Sequence, residues 1–337
     1  MSGRVFEFKN KPSLISWSSV VGKKESEGPL GKGFDMILED PMCGLDTWEG
    51  AESHFLKTAI GIALDKSGIK KEEIDGIFAG DLINQCTGSA FGIRDFNIPF
   101  FGIYGACSTS VLSMINASVF VDSGQMKTAM CATSSHFCSA EKQFRFPLEY
   151  GGQRPPTSQW TVTGASSAII SSKNEKNSPV IEKGIIGKII DKGITDANNM
   201  GAAMAPAAAD TIYTFLKETK SLPTDYDLIL TGDLGQVGSE LLYELLEKQY
   251  SLNIRNCHND TGLMMFNLET QDVHAGASGC GCCGTVLCSK ILNELNEGKL
   301  GKVLVVATGA LLSAISPFQG ETIPGIAHGV LITNGSD

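Results

Sequence analysis

The strongest constraint on this 337-residue chain is an internal duplication spaced by about half its length. Residues 75–85 read DGIFAGDLINQ and residues 227–236 read DLILTGDLGQ, each with a short apolar run that leads into Gly-Asp-Leu. A helical stretch precedes each run, Glu52 to Lys66 in one case and Ala207 to Glu218 in the other. Residues 107–134 (CSTSVLSMINASVFVDSGQMKTAMCATS) and 281–309 (GCCGTVLCSKILNELNEGKLGKVLVVATG) form a second pair. Both pass from a small-residue turn through an apolar helix and a glycine, Gly124 or Gly298, to a buried strand ending in Ala-Thr. The two glycines lie 174 residues apart, an offset that lays Cys107 over Gly281 between Cys280 and Cys282. TGASSAIISS at 163–172 and AHGVLITN at 327–334 make a weaker third pair. Self-similarity at a fixed offset is the mark of repeated structural units.

Strands alternate with helices, and strands such as Val303 to Ala307 are apolar on both faces. That predicts an α/β fold with sheets covered by helices on both sides. The expected halves are 1–173 and 174–337, linked through SSKNEKNSP at 171–179; the Ala-rich GAAMAPAAAD at 201–210 reads as a tightly packed helix start. A hydrophobic content of 42% with 19% charged residues is globular. The net charge of −10 predicts no broad basic face for nucleic acid and repulsion from anionic lipid. MSGRVFEFKNK lacks an apolar core, so no secretory signal is expected. The longest apolar run, Val303 to Ile315, is broken by Thr308, Gly309 and Ser313, so no transmembrane segment is expected either. Ten cysteines in mostly apolar or small-residue surroundings fit a reducing compartment better than a disulfide framework.

The stretch GIYGACSTSVLSM at 102–114 places Cys107 on the small-residue turn that opens a buried helix. Two fused βα halves with a cysteine there resemble the thiolase superfamily, and within it ketoacyl-ACP synthase III. The resemblance covers most of the chain and implies a five-layer αβαβα fold. It also implies a nucleophile's position for Cys107, where a helix N-terminus favours thiolate. Condensing enzymes also need a His and an Asn to polarise the thioester and stabilise the carbanion. Gly232 stands where the resemblance would put the His and Gly235 where it would put one Asn. The turn Gly279-Cys280-Gly281-Cys282 has no second Asn, and His274 is out of register. The expectation is a protein without condensing activity, in which Cys107 lines a retained pocket. The alternative is a residual cysteine-dependent acyltransferase or thioesterase.

Three further runs, NKPSLISWSSVVGKKESEGPLG near the start, EKQFRFPLEYGGQRPPTSQWTVTGA at 141–165 and HAGASGCGCCG at 274–284, resemble a narrower thiolase-like family serving stage V of sporulation in spore-forming bacteria. That resemblance implies binding of dipicolinic acid (pyridine-2,6-dicarboxylate), free or as its calcium chelate, and a role in its uptake into the developing spore. It also implies work beside membrane-embedded stage V sporulation A partners, a peripheral place at the inner spore membrane, and a homodimer paired through the first half's sheet edge. A flat dianion needs donors at two ends and an apolar slot between them. Candidate ligand-binding residues are Cys107, Ser134, His136, Lys142, Arg145, Arg154, His274 and Cys282, the two cysteines through helix-start N–H groups. Thr308-Gly309-Ala310 matches the family's final glycine loop. No cofactor and no metal are expected: Cys280, Cys282, Cys283 and Cys288 lie along one helix rather than on two converging arms. The glycines of GASGCGCCG fit no phosphate-binding fingerprint.

Overall fold

The computed structural model describes residues 3–143, 154–173 and 178–335. Among them the strands are β1 (Val5–Glu7), β2 (Ser13–Gly22), β3 (Met36–Leu38), β4 (Gly76–Gly80), β5 (Phe100–Gly102), β6 (Thr128–Ser135) and β7 (Trp160–Thr161), followed by β8 (Gly164–Ser171), β9 (Val180–Ile185), β10 (Leu228–Gly232), β11 (His258–Asp260), β12 (Ala277–Ser278), β13 (Lys302–Ala310) and β14 (Gly325–Thr333). Twelve form one sheet ordered β11-β10-β13-β14-β9-β2-β8-β6-β4-β5, with β1 on β9 and β3 on β2. β7 and β12 pair separately and in parallel.

The duplication is written into this order. From the outer edges inward, β5-β4-β6-β8-β2 and β11-β10-β13-β14-β9 run through the same sequence of parallel and antiparallel neighbours. The two runs meet where Ser13 pairs with Val180. β6, β8 and β13 are buried along nearly their whole length, as strands covered on both faces must be.

Helices fill three layers around the sheet. The middle one holds Thr109–Asp122 and a second run from Cys280 to Asn296, which is helical at Cys280–Val286, widens into a π-turn at Leu287–Ile291, and resumes at Leu292–Asn296. Val111, Met114, Ile115 and Val121 pack there with Leu287, Ile291, Leu292 and strand residues of both halves. One outer layer is Trp48–Ser67, capped by Thr47 at its start and by the left-handed Gly68 at its end, and packed on β4, β6 and β8. The other holds Met200–Thr219 and Gly235–Tyr250 against β10, β13 and β14. This is the five-layer arrangement that the resemblance to the thiolase superfamily implies.

The glycines of the two Gly-Asp-Leu runs have a steric reason. A Cβ on Gly80 would meet the Ile103 carbonyl oxygen at 1.8 Å, and one on Gly232 would meet Ala307 Cα at 2.9 Å. Both neighbours are backbone and cannot step aside. Gly80→Ala is therefore expected to destabilise the fold by about 1–3 kcal/mol through overpacking, read as a lowered midpoint in chemical denaturation.

Candidate functional site

Cys107 sits two residues ahead of the Thr109–Asp122 helix and is 5% exposed. The chain reaches it through Ala106 in the left-handed region (φ 50°), a conformation that a non-glycine residue adopts at a cost. Thr109 Oγ1 accepts from Gly105 N at 3.0 Å and donates to the Ala106 carbonyl at 2.6 Å, which fixes the turn. The second middle helix points its own start at the same spot, and the Cys280 thiol donates to the Ala106 carbonyl at 3.2 Å.

The side chain that meets the Cys107 thiol is Asp233, fully buried and itself left-handed (φ 50°) just past Gly232. Its carboxylate accepts from Gly279 N at 2.9 Å and from Thr308 Oγ1 at 3.2 Å, and its charge acts on the Cys107 thiol. Gln159 Nε2 holds the Asp233 carbonyl at 2.7 Å. Asp260 fastens the same loop by accepting from Leu234 N and Gly235 N, both at 2.9 Å. Burial first, and the neighbouring Asp260 charge second, push the Asp233 carboxyl up to about 7. Burial above all, then the Asp233 carboxylate, raise the Cys107 thiol well above its ordinary value. The helix start that lowers thiol pKa elsewhere is outweighed here, and Cys107 is a neutral thiol near pH 7.

The duplicated acid of the first half, Asp81, is buried too. It accepts from Ser89 N and Oγ at 2.7 Å and from Ile83 N at 2.8 Å. Glu52 lies close enough for their charges to interact and accepts from Ser134 and Ser139. Burial, then the Asp81 charge, push Glu52 up to about 8. The site thus has buried carboxyls on both sides of the two helix starts.

A narrow cleft opens on Cys107, lined by Leu82, Tyr104, Ala106, Gln143, Thr161, Met200, Ser278, Ala310 and Leu312. Its free volume of about 30 Å³ holds a water or two. A ring with two carboxylates fits only if flexible members such as Leu82, Met200 and Gln143 move aside. None of the described lining residues is cationic.

Of the residues singled out in the sequence, Cys107 lines this cleft and the others are dispersed. Ser134 donates to Glu52 at 3.1 Å. His136 Nε2 pairs with the Pro41 carbonyl at 2.9 Å while its Nδ1 accepts from Cys138 N, capping a short helix; burial lowers its pKa. Lys142 is ion-paired with Glu49. Arg154 and His274 come together at Asp272, each 3.5 Å from its Oδ1. The Cys282 thiol faces Thr261 Oγ1 at 3.7 Å, inside the core. Arg145 lies outside the described residues. Gly232 ends β10 and Gly235 starts the next helix, with Asp233 between them. Sequence reasoning passed over Asp233 although its signal was present, as the polar residue of both Gly-Asp-Leu runs. Among the described residues no group of three or more His, Cys, Asp or Glu is placed to hold a metal ion. Among them, too, no helix is long and apolar enough to cross a membrane.

Two halves of one strand order, with a buried cysteine heading a middle helix, define a thiolase-fold protein. Solved condensing enzymes share this fold. OleA of Xanthomonas campestris, with cerulenin bound, matches with a TM-score of 0.63 at 12% identity, over 97% of this chain and 98% of its own. The 3-oxoacyl-(acyl-carrier-protein) synthase III of Aquifex aeolicus matches with a TM-score of 0.57 at 12% identity, over 96% and 99%. A sequence model described as stage V sporulation protein AD matches residues 2–333. Stage V sporulation protein AD of Bacillus subtilis (strain 168) is 46% identical over 324 residues, 96% of this chain and 95% of its own. The chain belongs to the stage V sporulation protein AD family.

Two outcomes follow from the buried acids. Above pH 7 the Asp233 charge suppresses ionisation of Cys107, so Asp233→Asn is expected to speed alkylation of Cys107 by iodoacetamide about tenfold per unit of pKa lowered, read by peptide mass spectrometry at pH 8. The second concerns stability. Glu25, Glu52, Asp233 and Asp260 are raised to about 7, 8, 7 and 6, in each case chiefly by burial. Between roughly pH 4, the unfolded value, and pH 8, the folded chain holds protons that the unfolded chain has released. The stability contributed by these groups is complete at the acidic end and falls as pH rises. The thermal midpoint is expected to drop from pH 5 to pH 8, and Glu52→Gln to flatten that slope.

Proposed function

We propose that this protein is a non-catalytic thiolase-fold protein of sporulation that binds dipicolinic acid, free or as its calcium chelate, and supports its uptake into the developing spore beside membrane-embedded stage V sporulation A partners. The observation that carries the non-catalytic reading is the burial of Cys107 beside the Asp233 carboxyl, with no histidine among the described residues that line its cleft. A positioned acid or base is worth roughly 10²–10⁴-fold in rate, and an oxyanion donor roughly 10²–10³-fold. A side chain that opposes thiolate formation works against both.

Membership of the sporulation family supports the ligand and the setting. The cleft supports recognition of a planar ring, with apolar Leu82, Met200 and Leu312 along it and Thr161, Ser278 and the Cys107 helix start as polar partners. The homodimer reading rests on β5, the edge strand of the first half: its Phe100 and Phe101 are each 37% exposed beside open edge. β6, by contrast, is internal, paired on both sides by β4 and β8. An edge strand carrying exposed aromatics is a surface that a second copy can extend. Peripheral attachment at the inner spore membrane through those partners belongs to the same reading.

Calorimetric titration with dipicolinic acid is the direct test. Saturable heat, absent with benzoate, is expected; no heat with the acid or its calcium chelate would sink the binding reading. Incubation with acyl-CoA is expected to leave the intact mass unchanged. A mass increase that disappears in Cys107→Ala would replace the non-catalytic reading with acyl transfer at that thiol.

A further inference from the structure

The two Gly-Asp-Leu loops fold differently, and the difference lies at the Cys107 cleft. In the second half Leu234 is fully buried, and the glycine after it, Gly235, takes the left-handed turn at φ 64°. In the first half Leu82 is half-buried and lines the cleft. The left-handed positions fall further on, at Gln85 (φ 59°) and Cys86 (φ 52°), two consecutive residues that are not glycine. Such a pair persists only where its surroundings force it.

Asp81 does the forcing. One carboxylate oxygen accepts from Ile83 N at 2.8 Å and the other from Ser89 N and Oγ, both at 2.7 Å. A single side chain thus grips residues 82–88 at both ends, and between them the Cys86 thiol reaches the Ile103 carbonyl at 3.6 Å. The grip faces Glu52 on the Trp48–Ser67 helix. A Cβ on Gly88 would stand 3.3 Å from Asp81 Oδ2 and 3.3 Å from Glu52 Oε1. Both acids are fully buried, and among the described residues no ion pair reaches either one. Two carboxyls so placed do not both ionise without strong repulsion, so they hold one proton between them. Backbone N–H groups favour the charge on Asp81. The Ser134 and Ser139 hydroxyls, which can turn, leave the proton to Glu52. Burial raises Asp81 as well, against its bonds from Ser89, Ile83 and Gly88.

The other ionisable groups around the pair leave it to itself. Glu49 acts on Glu52 from the preceding turn and is paired with Lys142. Cys280, Cys86 and Tyr104 feel the Asp81 charge, and burial above all keeps the three neutral. On the short helix that carries Ser139, Glu141 accepts from Thr161 Oγ1 at 3.1 Å, and His136 at its start is taken by the Pro41 carbonyl.

We propose that residues 82–88 are a latch on the Cys107 cleft, held shut by Asp81 while Asp81 and Glu52 share a proton, and released when that proton leaves. Release moves the loop rather than the helix. Glu52 is anchored in a 20-residue helix packed on β4, β6 and β8, whereas Asp81 carries a short loop already bent against its preference. Opening withdraws Leu82 and lets the cleft widen from about 30 Å³. The latch concerns entry to the cleft and stands whatever the occupant is.

The test is hydrogen exchange of the full chain, read by mass spectrometry and corrected for the intrinsic rate. With Glu52 raised to about 8, the latch is shut below that pH and loosens above it. Residues 82–89 of the wild type are expected to lose protection about tenfold between pH 8 and pH 9. Glu52→Gln, which keeps a neutral partner for Asp81, is expected to retain it and to slow alkylation of Cys107 by iodoacetamide at pH 9. Gln85→Gly, which relieves one left-handed residue in the shut loop, is expected to slow that alkylation about threefold. Leu82→Ala is expected to speed it severalfold at pH 7. Protection in residues 82–89 that is unchanged with pH in the wild type, or lost equally in Glu52→Gln, would overturn the proton-held latch. Wild-type alkylation in Leu82→Ala would overturn its place over the cleft. The Gln85 and Leu82 variants change side chains at the surface, so they report even if Glu52→Gln fails to fold.

Discussion

Most of this structure's chemistry depends on one buried contact, the Asp233 carboxylate against the Cys107 thiol. The contact joins the halves. Asp233 follows β10 in the second half, Cys107 leads into the middle helix of the first, and Gly279 N, at the start of the other middle helix, binds the same carboxylate. Gly232 lets the strand approach β13 closely enough to bring Asp233 there, and Asp260 holds the loop beyond it. Burying a carboxyl this deeply is tolerable because Gly279 N and Thr308 Oγ1 donate to it and because it can keep its proton.

That contact also decides what the cysteine can do. A helix start offers partial positive charge to a thiolate, worth perhaps 0.3–1 kcal/mol at an exposed end. Removing a thiolate from water costs more than that, and a neighbouring carboxylate adds repulsion. The same backbone turn can serve a nucleophile or silence it, according to the side chain opposite. The likeness to condensing enzymes therefore lies in the backbone, while the chemistry near Cys107 is set by Asp233, Thr308 and Asp260.

The duplication was legible because it repeats in residues with little freedom: the glycines of Gly-Asp-Leu and the small residues at the two helix starts. The α/β class followed from it, while the five layers and the place of Cys107 followed from the resemblance to the thiolase superfamily. Pairings between distant segments were not legible. Nothing near Lys142 indicates that Glu49 will meet it, and nothing near Trp160 indicates that Lys24 will lie on its ring. His136 reads as a ligand in isolation, yet its two ring nitrogens are taken by Pro41 and Cys138. The cleft's small volume depends on side chains from seven separate stretches, so no local pattern could reveal it.

Charge placement gives the remaining argument. The described residues that line the cleft include no cation, and desolvating two carboxylates without one costs several kcal/mol each in practice. An anion bound near Cys107 has to arrive neutralised by a proton or a metal ion, or keep a carboxylate outside where cations stand. The buried carboxyls at the helix starts sharpen this choice, since each one that ionises raises the cost of bringing a further negative charge beside it.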